Sequence, residues 1–327
     1  MESRLISVVV PVYNEEGSVE ALLHEIRRVA NQQGWNIEVV FVDDGSRDAS
    51  WDRITQMAAA DPAVGGIRFR QNAGKAAALM AGFSVVRGDV VFMMDADLQD
   101  PPEEMPRLLA ALDAGYDLVS GWKKVRHDSW HKVYPSRVFN RIIGALTGVH
   151  LHDHVCGFKC FRRPVVKSLR IYGEFHRFLG VLAASNGFRV SEIPTLHRKR
   201  TCGVSKYGFS RFAKGFVDLL TIVCLTRYRW RPQHLIGVTG LWLIVLSLVL
   251  AILIGILGFV PPGPVHALLN ALVTLILTAA PGALLIAIGL VGQLIVDQKP
   301  LDSQYVVVER AGWCGDLRTE PEPATAL

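Results

Sequence analysis

A long apolar run near the end of the chain constrains the fold most. Between Leu235 and Val296 there is no Asp, Glu, Lys or Arg, and the proline-rich link Pro261–Pro264 divides the run into residues 235–260 and 267–296. Each part exceeds the roughly 20 helical residues that cross about 30 Å of hydrocarbon. Two buried helices of a soluble core would need a much larger protein around them. The sequence therefore predicts two transmembrane helices.

Basic residues flank this run on both sides, whereas the link carries neither Lys nor Arg. Arg227, Arg229 and Arg231 precede the run, and Lys299 and Arg310 follow it. Because cytoplasmic loops are enriched in Lys and Arg, we expect both flanks and the N-terminal domain to face the cytoplasm. The net charge of +5 is concentrated here, which indicates attraction to anionic lipid and not to nucleic acid.

The cysteines indicate a reducing compartment and no metal centre. The chain has five Cys, and the cluster of His152, His154, Cys156 and Cys160 matches no common zinc spacing. We therefore expect reduced structural thiols.

Strand-like and helical patterns alternate in the first third of the chain. The predicted strands are Leu5–Val10, Ile37–Val42, Gly66–Phe69, Val90–Met94 and Tyr116–Ser120. The predicted helices are Glu15–Val29, with Asn14 as N-cap, then Ser50–Ala60, Gly74–Val86 and Glu103–Ala114. This alternation predicts an α/β fold with a mostly parallel sheet, whose ligands bind beyond the carboxyl ends of the strands.

Polar clusters follow four of these strands, at residues 11–16, 43–46, 72–75 and 95–100. Asp95, Asp97 and Gln99 supply the oxygen ligands that Mg²⁺ or Mn²⁺ prefers. Asp43 and Asp44 are suited to accept hydrogen bonds from a nucleobase and a ribose. Either motif alone is more often a solvated turn, but four clusters at one sheet edge predict a site.

Taken together, these motifs resemble glycosyltransferase family 2. The segment 95–103, Asp-Ala-Asp-Leu-Gln-Asp-Pro-Pro-Glu, is similar to the metal loop of its polyprenyl-phosphate branch, which includes dolichol-phosphate mannose synthases. Segments 152–159, 174–178 and 200–207 fit that branch, and the two predicted spans narrow it to bacterial undecaprenyl-phosphate sugar transferases. The resemblance implies a GT-A type, Rossmann-like nucleotide-sugar domain.

The resemblance also implies roles for individual residues. The donor would contact Pro11, Tyr13, Glu15, Asp43, Asp44, Lys75, Asp95 and Ser205. Asp95, Asp97 and Gln99 would hold the Mg²⁺ or Mn²⁺ that bridges the diphosphate, which gives Asp97 its catalytic role, and Arg200 and Lys206 would reach the donor diphosphate. The acceptor phosphate would meet Arg137, with Lys123, Arg126 and Arg177 as further candidates. The family often has Arg where this chain has Lys123, and a lysine cannot form the bidentate contact with phosphate.

The predicted domain order places a membrane-surface helix between the site and the spans. Residues 1–204 form the catalytic domain, 205–231 an interfacial amphipathic segment, 235–260 and 267–296 the spans, and 297–327 a cytoplasmic tail. An amphipathic helix packed on the soluble core is the alternative for 205–231. Small residues such as Gly289 and Gly292 would suit association of copies in the bilayer, and the oligomeric state stays open.

The predicted function is transfer of a sugar from a UDP- or GDP-linked donor to undecaprenyl phosphate at the cytoplasmic face of a bacterial inner membrane. The resemblance implies an inverting, metal-dependent reaction. One alternative is a processive polysaccharide synthase, which needs more spans and a Gln-x-x-Arg-Trp motif; Thr226 stands where that Gln is required. Another is a non-catalytic membrane protein that binds nucleotide-sugars or lipid phosphate.

Overall fold

The computed structural model describes residues 4–124, 130–198, 210–227 and 307–313, together with positions 284, 287, 291 and 294. The chain divides into two compact units: Met1–Asp218 with Pro300–Leu327, and Leu219–Lys299. Among the residues described, no helix is both long and apolar enough to cross a membrane. The predicted spans lie outside the described residues, apart from the four single positions, which are helical.

The first unit is built on an eight-stranded sheet. Its strands are β1 Leu5–Val12, β2 Asn36–Asp43, β3 Val64–Phe69, β4 Val90–Met93, β5 Leu118–Lys123, β6 Lys159–Arg162, β7 Val190–Thr195 and β8 Val307–Gly312. They lie in the order β7-β5-β6-β4-β1-β2-β3-β8. Strands β1 to β4 are mutually parallel, and β5 is parallel to β7. The predicted α/β fold with a mostly parallel sheet is confirmed.

Helices cover both faces of this sheet. They are α1 Val19–Gln33, α2 Ser50–Ala60, α3 Lys75–Val85, α4 Met105–Asp113, α5 Trp130–Thr147, α6 Arg163–Ser168 and α7 Leu179–Ser185; a further helix, α8 Ser210–Arg227, begins in the first unit and ends in the second. Helix α1 shows why they form: Val19, Leu22, Ile26 and Val29 recur every three or four residues and are all buried. Because both faces are covered, the central strands are continuous apolar runs.

Strand β6 places the end of β5 beside the end of β4. It pairs antiparallel with both strands, so that β4 and β5 point in the same direction. Lys159 begins β6 and stands opposite Met93 of β4 and Ser120 of β5. The carboxyl ends of β1 to β5 therefore meet at one edge of the sheet, which we call the site edge.

The start of the first helix differs from the prediction. Helix α1 begins at Val19 instead of Glu15, and Asn14 adopts a left-handed backbone with φ of 55°. The Asn14 side-chain oxygen accepts the Arg47 N–H at 2.9 Å, and the Asn14 N–H donates to Ser46 Oγ at 2.9 Å. The prediction that Asn14 caps the helix was wrong, because it joins the loops that follow β1 and β2.

Strand β8 was not anticipated from the sequence. It follows the long apolar run and pairs antiparallel with β3 at the edge of the sheet. Gly312 at its end has φ of 59°, and a Cβ there would lie 2.2 Å from the Val64 carbonyl oxygen. Only a glycine fits such a close approach of two backbones.

Candidate active site

The loops after β1 and β2 form the first part of the site. Asp43 ends β2 fully buried; one of its oxygens accepts the Ser46 N–H at 3.0 Å, and Arg68 Nε lies 3.4 Å from the other. Burial raises the pKa of Asp43, although the Ser46 hydrogen bond and Arg68 oppose this effect. Glu15 is held in the same region by its N–H, which donates to Ser50 Oγ at 2.9 Å.

Asp44 connects the end of β2 to the loop before α3. Its carboxylate accepts the N–H groups of Ala73 at 2.7 Å and of Gly74 at 3.0 Å. Burial raises the pKa of Asp44 to about 6 in spite of these bonds. The carboxylate therefore fixes the loop 72–75, which was one of the four predicted polar clusters.

A cavity of about 370 Å³ lies beside these aspartates. Gly45 stands at its rim with φ of 71°, and a Cβ there would lie 2.7 Å from the Gln71 backbone. Tyr13, one of the predicted donor contacts, contributes to the wall. The other lining residues are Ser46, Arg47, Arg68, Phe69, Arg70, Gln71 and Asn72. An aromatic ring and several cations thus face a space next to buried carboxylates.

The loop that follows β4, residues 95–100, contains the predicted metal ligands, and we call it the metal loop. Asp95 at its start is half-buried and forms an ion pair with Lys75 from the first turn of α3. Burial alone would raise the pKa of Asp95, but the adjacent Lys75 lowers it, so that the carboxylate stays charged. A Cβ on Gly157 would lie 2.4 Å from an Asp95 oxygen, so the glycine leaves room for this carboxylate.

The rest of the metal loop is tied to the segment that leaves β7. Asp97 Oδ1 accepts the Gln99 N–H at 3.2 Å, and Leu98 between them has φ of 60°. The Arg198 N–H donates to the Gln99 carbonyl at 2.8 Å. Arg198 in turn forms ion pairs with Glu25 of α1 and Glu103. The segment leading towards Arg200 thus runs alongside the metal loop.

A buried ion pair closes the metal loop. Asp100 is 1% exposed, and its Oδ1 lies 3.2 Å from Lys123 Nζ and 3.4 Å from His197 Nδ1. Burial opposes the charge of Lys123, but Asp100 outweighs it, and the pKa of Lys123 is raised. The other oxygen of Asp100 is buried and has no hydrogen-bond partner.

Sequence reasoning missed a group of buried polar residues behind the metal loop. Lys159 is fully buried, and its ammonium donates to Ser120 Oγ at 2.7 Å and to the His154 carbonyl at 3.3 Å. Burial lowers the pKa of His154 to about 4 and that of His176 to about 3, so both imidazoles are neutral. The signal was present, because segments 152–159 and 174–178 were singled out, although His154, Lys159 and His176 were given no role.

The predicted acceptor residues are only partly described. Arg177 is 8% exposed and its Nη2 lies 2.5 Å from Glu174 Oε2, so it is already paired. Arg137 lies on α5, and its side chain is outside the described part of the structure, as is all of Arg126. The donor candidates Arg200, Ser205 and Lys206 also lie outside the described residues.

Within residues 4–124, 130–198, 210–227 and 307–313, no group of three or more His, Cys, Asp or Glu side chains could hold a metal ion. Cys156 and Cys160 are free, buried thiols, and burial raises the pKa of Cys156 to about 12. Both thiols are thus unpaired by disulfides, which agrees with the prediction of reduced cysteines.

Solved structures share this fold. The chain superposes on glucosyl-3-phosphoglycerate synthase from Mycobacterium tuberculosis, in complex with Mn²⁺ and uridine-diphosphate-glucose, with a TM-score of 0.51 and 20% identity. The match covers 68% of this chain and 78% of that one. At this identity the likeness shows the fold alone, which is a GT-A, Rossmann-like α/β fold.

Relatives found by sequence are more similar to this chain than this solved structure is. The chain is 38% identical over 302 residues to the undecaprenyl-phosphate 4-deoxy-4-formamido-L-arabinose transferase of Shewanella sediminis, covering 89% of this chain and 86% of the relative. It is 35% identical over 268 residues to the dodecaprenyl-phosphate galacturonate synthase of Rhizobium johnstonii, covering 80% and 78%. The family model for glycosyl transferase family 2 matches residues 7–170. This chain therefore belongs to glycosyl transferase family 2.

Proposed function

We propose that this enzyme transfers one sugar from a nucleotide-linked donor to the phosphate of a polyprenyl lipid at a membrane surface. One observation carries the chemistry: the ends of five strands bring buried carboxylates, the metal loop and a cation-lined cavity to the same sheet edge. The acceptor class rests on the relatives, whose names specify undecaprenyl or dodecaprenyl phosphate. Their names specify two different sugars, so an assay must identify the sugar that this enzyme transfers.

The nucleoside of the donor would bind at the ends of β1 and β2. One buried oxygen of Asp43 has Arg68 Nε at 3.4 Å but no hydrogen-bond partner, and such an oxygen can accept an N–H or O–H group of a ligand. Tyr13 in the cavity wall would pack against the base. We assign the remaining donor contacts to Pro11, Glu15, Asp44, Lys75 and Ser205.

The metal loop fits a hard divalent cation. The oxygen atoms that it presents are those of carboxylates and an amide, and Gly157 leaves room for the Asp95 carboxylate. We assign Asp95, Asp97 and Gln99 as protein ligands, with the diphosphate of the donor completing the coordination. Bound Mg²⁺ or Mn²⁺ would neutralise charge on the departing nucleoside diphosphate. Structural neighbours with the same fold bind Mn²⁺ together with a uridine nucleotide, which supports this assignment.

The reaction needs no strong general base. A phosphate monoester has a second pKa of about 6, so the acceptor is largely dianionic and already a nucleophile. Its oxygen forms the new bond to the anomeric carbon, and the bond to the nucleoside diphosphate breaks with the electron pair leaving on that group. The protein must align the two substrates and stabilise the leaving charge. We assign the second task to Arg200 and Lys206, and to Asp97 through the metal ion that it would hold.

We also propose that the second unit contains two membrane spans, at 235–260 and 267–296, and that residues 205–231 lie at the membrane surface. The first unit holds the chain on both sides of the apolar run, and β8 pairs with β3. Both ends of the run should therefore lie on the side of the catalytic domain. A chain that crosses the membrane an even number of times meets this requirement. The flanking basic residues favour a cytoplasmic location for that side.

A cysteine placed in the link 261–264 should react with an impermeant thiol reagent on intact cells. Labelling of the catalytic domain instead would contradict this topology.

The decisive experiment supplies the purified protein with undecaprenyl phosphate and a panel of UDP- and GDP-linked sugars. One lipid-linked sugar per acceptor is the expected product. Polymer growing on one chain would favour a processive synthase, and binding without turnover would favour the non-catalytic alternative. Transfer that is indifferent to the lipid would overturn the proposed acceptor.

A matched pair of arginines on α5 tests the acceptor site. Arg137→Ala should raise the KM for undecaprenyl phosphate roughly tenfold to a hundredfold, because a charge-assisted phosphate contact contributes about 1.5–3 kcal/mol. Arg141→Ala, one helical turn further on at an exposed position, should leave that KM unchanged. Equal effects of the two substitutions would remove Arg137 from the acceptor site.

A further inference from the structure

The sequence assigned Lys123 to the lipid phosphate, but its surroundings point to the donor side. Its ammonium lies 3.2 Å from Asp100 Oδ1, and only 17% of its side chain is exposed. Asp100 follows Gln99 directly and is itself 1% exposed. The positive charge of Lys123 is therefore already balanced by the last residue of the metal loop.

The direction of the Lys123 side chain agrees with this pairing. Alternate residues of a strand point to the same face, so Lys123 shares a face with Val119, which lies in the core together with Leu108 of α4. Trp122 points to the other face and stacks on His152, with ring centroids 4.1 Å apart. Lys123 thus reaches under the metal loop and away from the surface that carries Trp122.

Asp100 also contacts the segment after β7. Its Oδ1 lies 3.4 Å from His197 Nδ1, and the next residue, Arg198, bonds to the Gln99 carbonyl through its backbone N–H at 2.8 Å. Lys123 and Thr195 are register partners at the ends of β5 and β7. One buried carboxylate therefore joins three segments that the fold brings to the site edge.

We propose that Lys123 is a positioning residue for the donor side: its buried ion pair with Asp100 fixes the metal loop to the ends of β5 and β7, and it does not receive the lipid phosphate. The inference rests on the proposed function, since it assumes that the metal loop serves the donor. Removing either partner leaves an uncompensated buried charge beneath the loop, whereas removing both does not. The two residues should therefore act as a unit.

A double-mutant cycle tests the unit without relying on turnover. UDP binding in the presence of Mn²⁺ is measured by calorimetry, and Mn²⁺ binding with UDP by electron paramagnetic resonance, for Lys123→Met, Asp100→Asn and the double variant. Each single substitution should weaken UDP binding about tenfold, and the double variant should be no weaker than the worse single one. Lys123→Arg, which keeps the charge, should recover part of the loss and covers the case in which Lys123→Met fails to fold.

The exposed ion pair of Arg4 and Asp113, on the opposite edge of the sheet, provides the control. Arg4→Met and Asp113→Asn should leave UDP binding unchanged. In kinetic assays Lys123→Met should lower kcat/KM for the donor about tenfold and leave the KM for undecaprenyl phosphate within twofold. A selective rise in the lipid KM with normal UDP binding would overturn the inference, as would additive losses in the cycle.

The outcomes also separate this inference from the proposed function. If the wild-type protein binds UDP with Mn²⁺ but transfers nothing to undecaprenyl phosphate, the acceptor assignment fails and the binding cycle still decides the role of Lys123. If the wild-type protein binds neither UDP nor GDP in the presence of Mn²⁺, both proposals fall together.

Discussion

The two edges of the central sheet bury carboxylates in different ways. At the edge where the strands begin, Glu38 accepts hydrogen bonds from Ser7 Oγ at 2.6 Å and from the backbone N–H and Nε of Arg87, both at 2.7 Å. At the site edge, Asp43 and Asp100 each keep a buried oxygen with no hydrogen-bond partner. Both sets of carboxylates belong to the same sheet and are equally hidden from solvent.

The difference separates a stabilising network from a binding site. An unsatisfied buried polar group costs about 1–3 kcal/mol, so a fold keeps one only where something else compensates. The network around Glu38 is complete without a ligand, and we interpret it as structural. At the site edge the second oxygen of Asp43 has only the ion pair with Arg68 and can still accept a hydrogen bond from a substrate, whereas Asp100 serves the ion pair with Lys123. The following substitutions test this division, in order of expected effect.

The largest effect is expected at Asp97. Asp97→Asn, or removal of divalent cations with EDTA, should lower turnover by at least about a hundredfold, because a Lewis-acid ion contributes several kcal/mol to stabilising the transition state. The unfolding transition of the variant should match that of the wild-type protein. Asp52→Asn, at an exposed position on α2, is the control and should retain activity. Full turnover in EDTA would remove the metal from the mechanism.

At the opposite edge, Glu38→Leu should reduce stability and spare catalysis. It removes the acceptor of the Ser7 hydroxyl and of the Arg87 backbone N–H and side chain, which should lower the free energy of unfolding by about 3 kcal/mol. In protein that remains folded, kcat/KM should stay within twofold of the wild-type value. Glu20→Leu on the exposed face of α1 controls for the change in hydrophobicity. Lost turnover with normal stability would contradict the division of the two edges.

Asp44→Asn should increase stability and weaken donor binding. Burial raises the pKa of Asp44 to about 6 from its ordinary 3.8, so the folded state holds this proton more tightly than the unfolded chain does. That contribution to stability is complete below pH 3.8 and is lost as the pH rises through about 6. The variant should therefore be more stable by about 2–3 kcal/mol near pH 8, with little gain near pH 4.

Asp48 lies in the same loop, and its pKa is shifted in the opposite direction. Burial alone would raise its pKa, but hydrogen bonds from Ser50 lower it. Its contribution to stability is present above the ordinary carboxyl pKa and is lost as the pH falls through the lowered value. Asp48→Asn should thus destabilise the fold at neutral pH. Thermal unfolding across pH measures both variants, and a common direction of change would refute the assigned causes.

The smallest effect is expected at Trp313, just after β8. The Arg87 guanidinium lies 4.0 Å from the centre of its ring, and Trp313 Nε1 donates to the Ala63 carbonyl at 3.4 Å. Trp313→Leu should lower the free energy of unfolding by about 1 kcal/mol and leave the kinetics unchanged. An unchanged free energy of unfolding would show that this contact does not stabilise β8.

Local patterns predicted the strands and the polar edge because both follow from short-range rules. Helix α2 was predicted with its observed limits, Ser50–Ala60, and β1 to β4 were placed correctly within a few residues. Parallel pairing then required the motifs at 11–16, 43–46, 72–75 and 95–100 to share an edge. The relatives confirmed the family to which these motifs pointed.

Contacts between distant segments could not be predicted in this way. Asn14 is a residue type that often caps helices, yet its hydrogen-bond partners come from the loop after β2. The sequence shows that Lys123 is a cation, but it does not show that Asp100 balances this charge. In the same way, nothing local indicates that β6 enters between β4 and β5, because that placement depends on both neighbours.

The position of β8 has a consequence for the order of events during synthesis. Trp313 bonds to Ala63, 250 positions earlier in the chain, and the whole apolar run lies between them. The ribosome must therefore translate residues 235–296 before the sheet can receive its last strand. Until then β3 exposes an unpaired edge, the kind of surface that makes nascent domains prone to aggregation. Completion of the eight-stranded sheet thus waits until the whole apolar run has been synthesised.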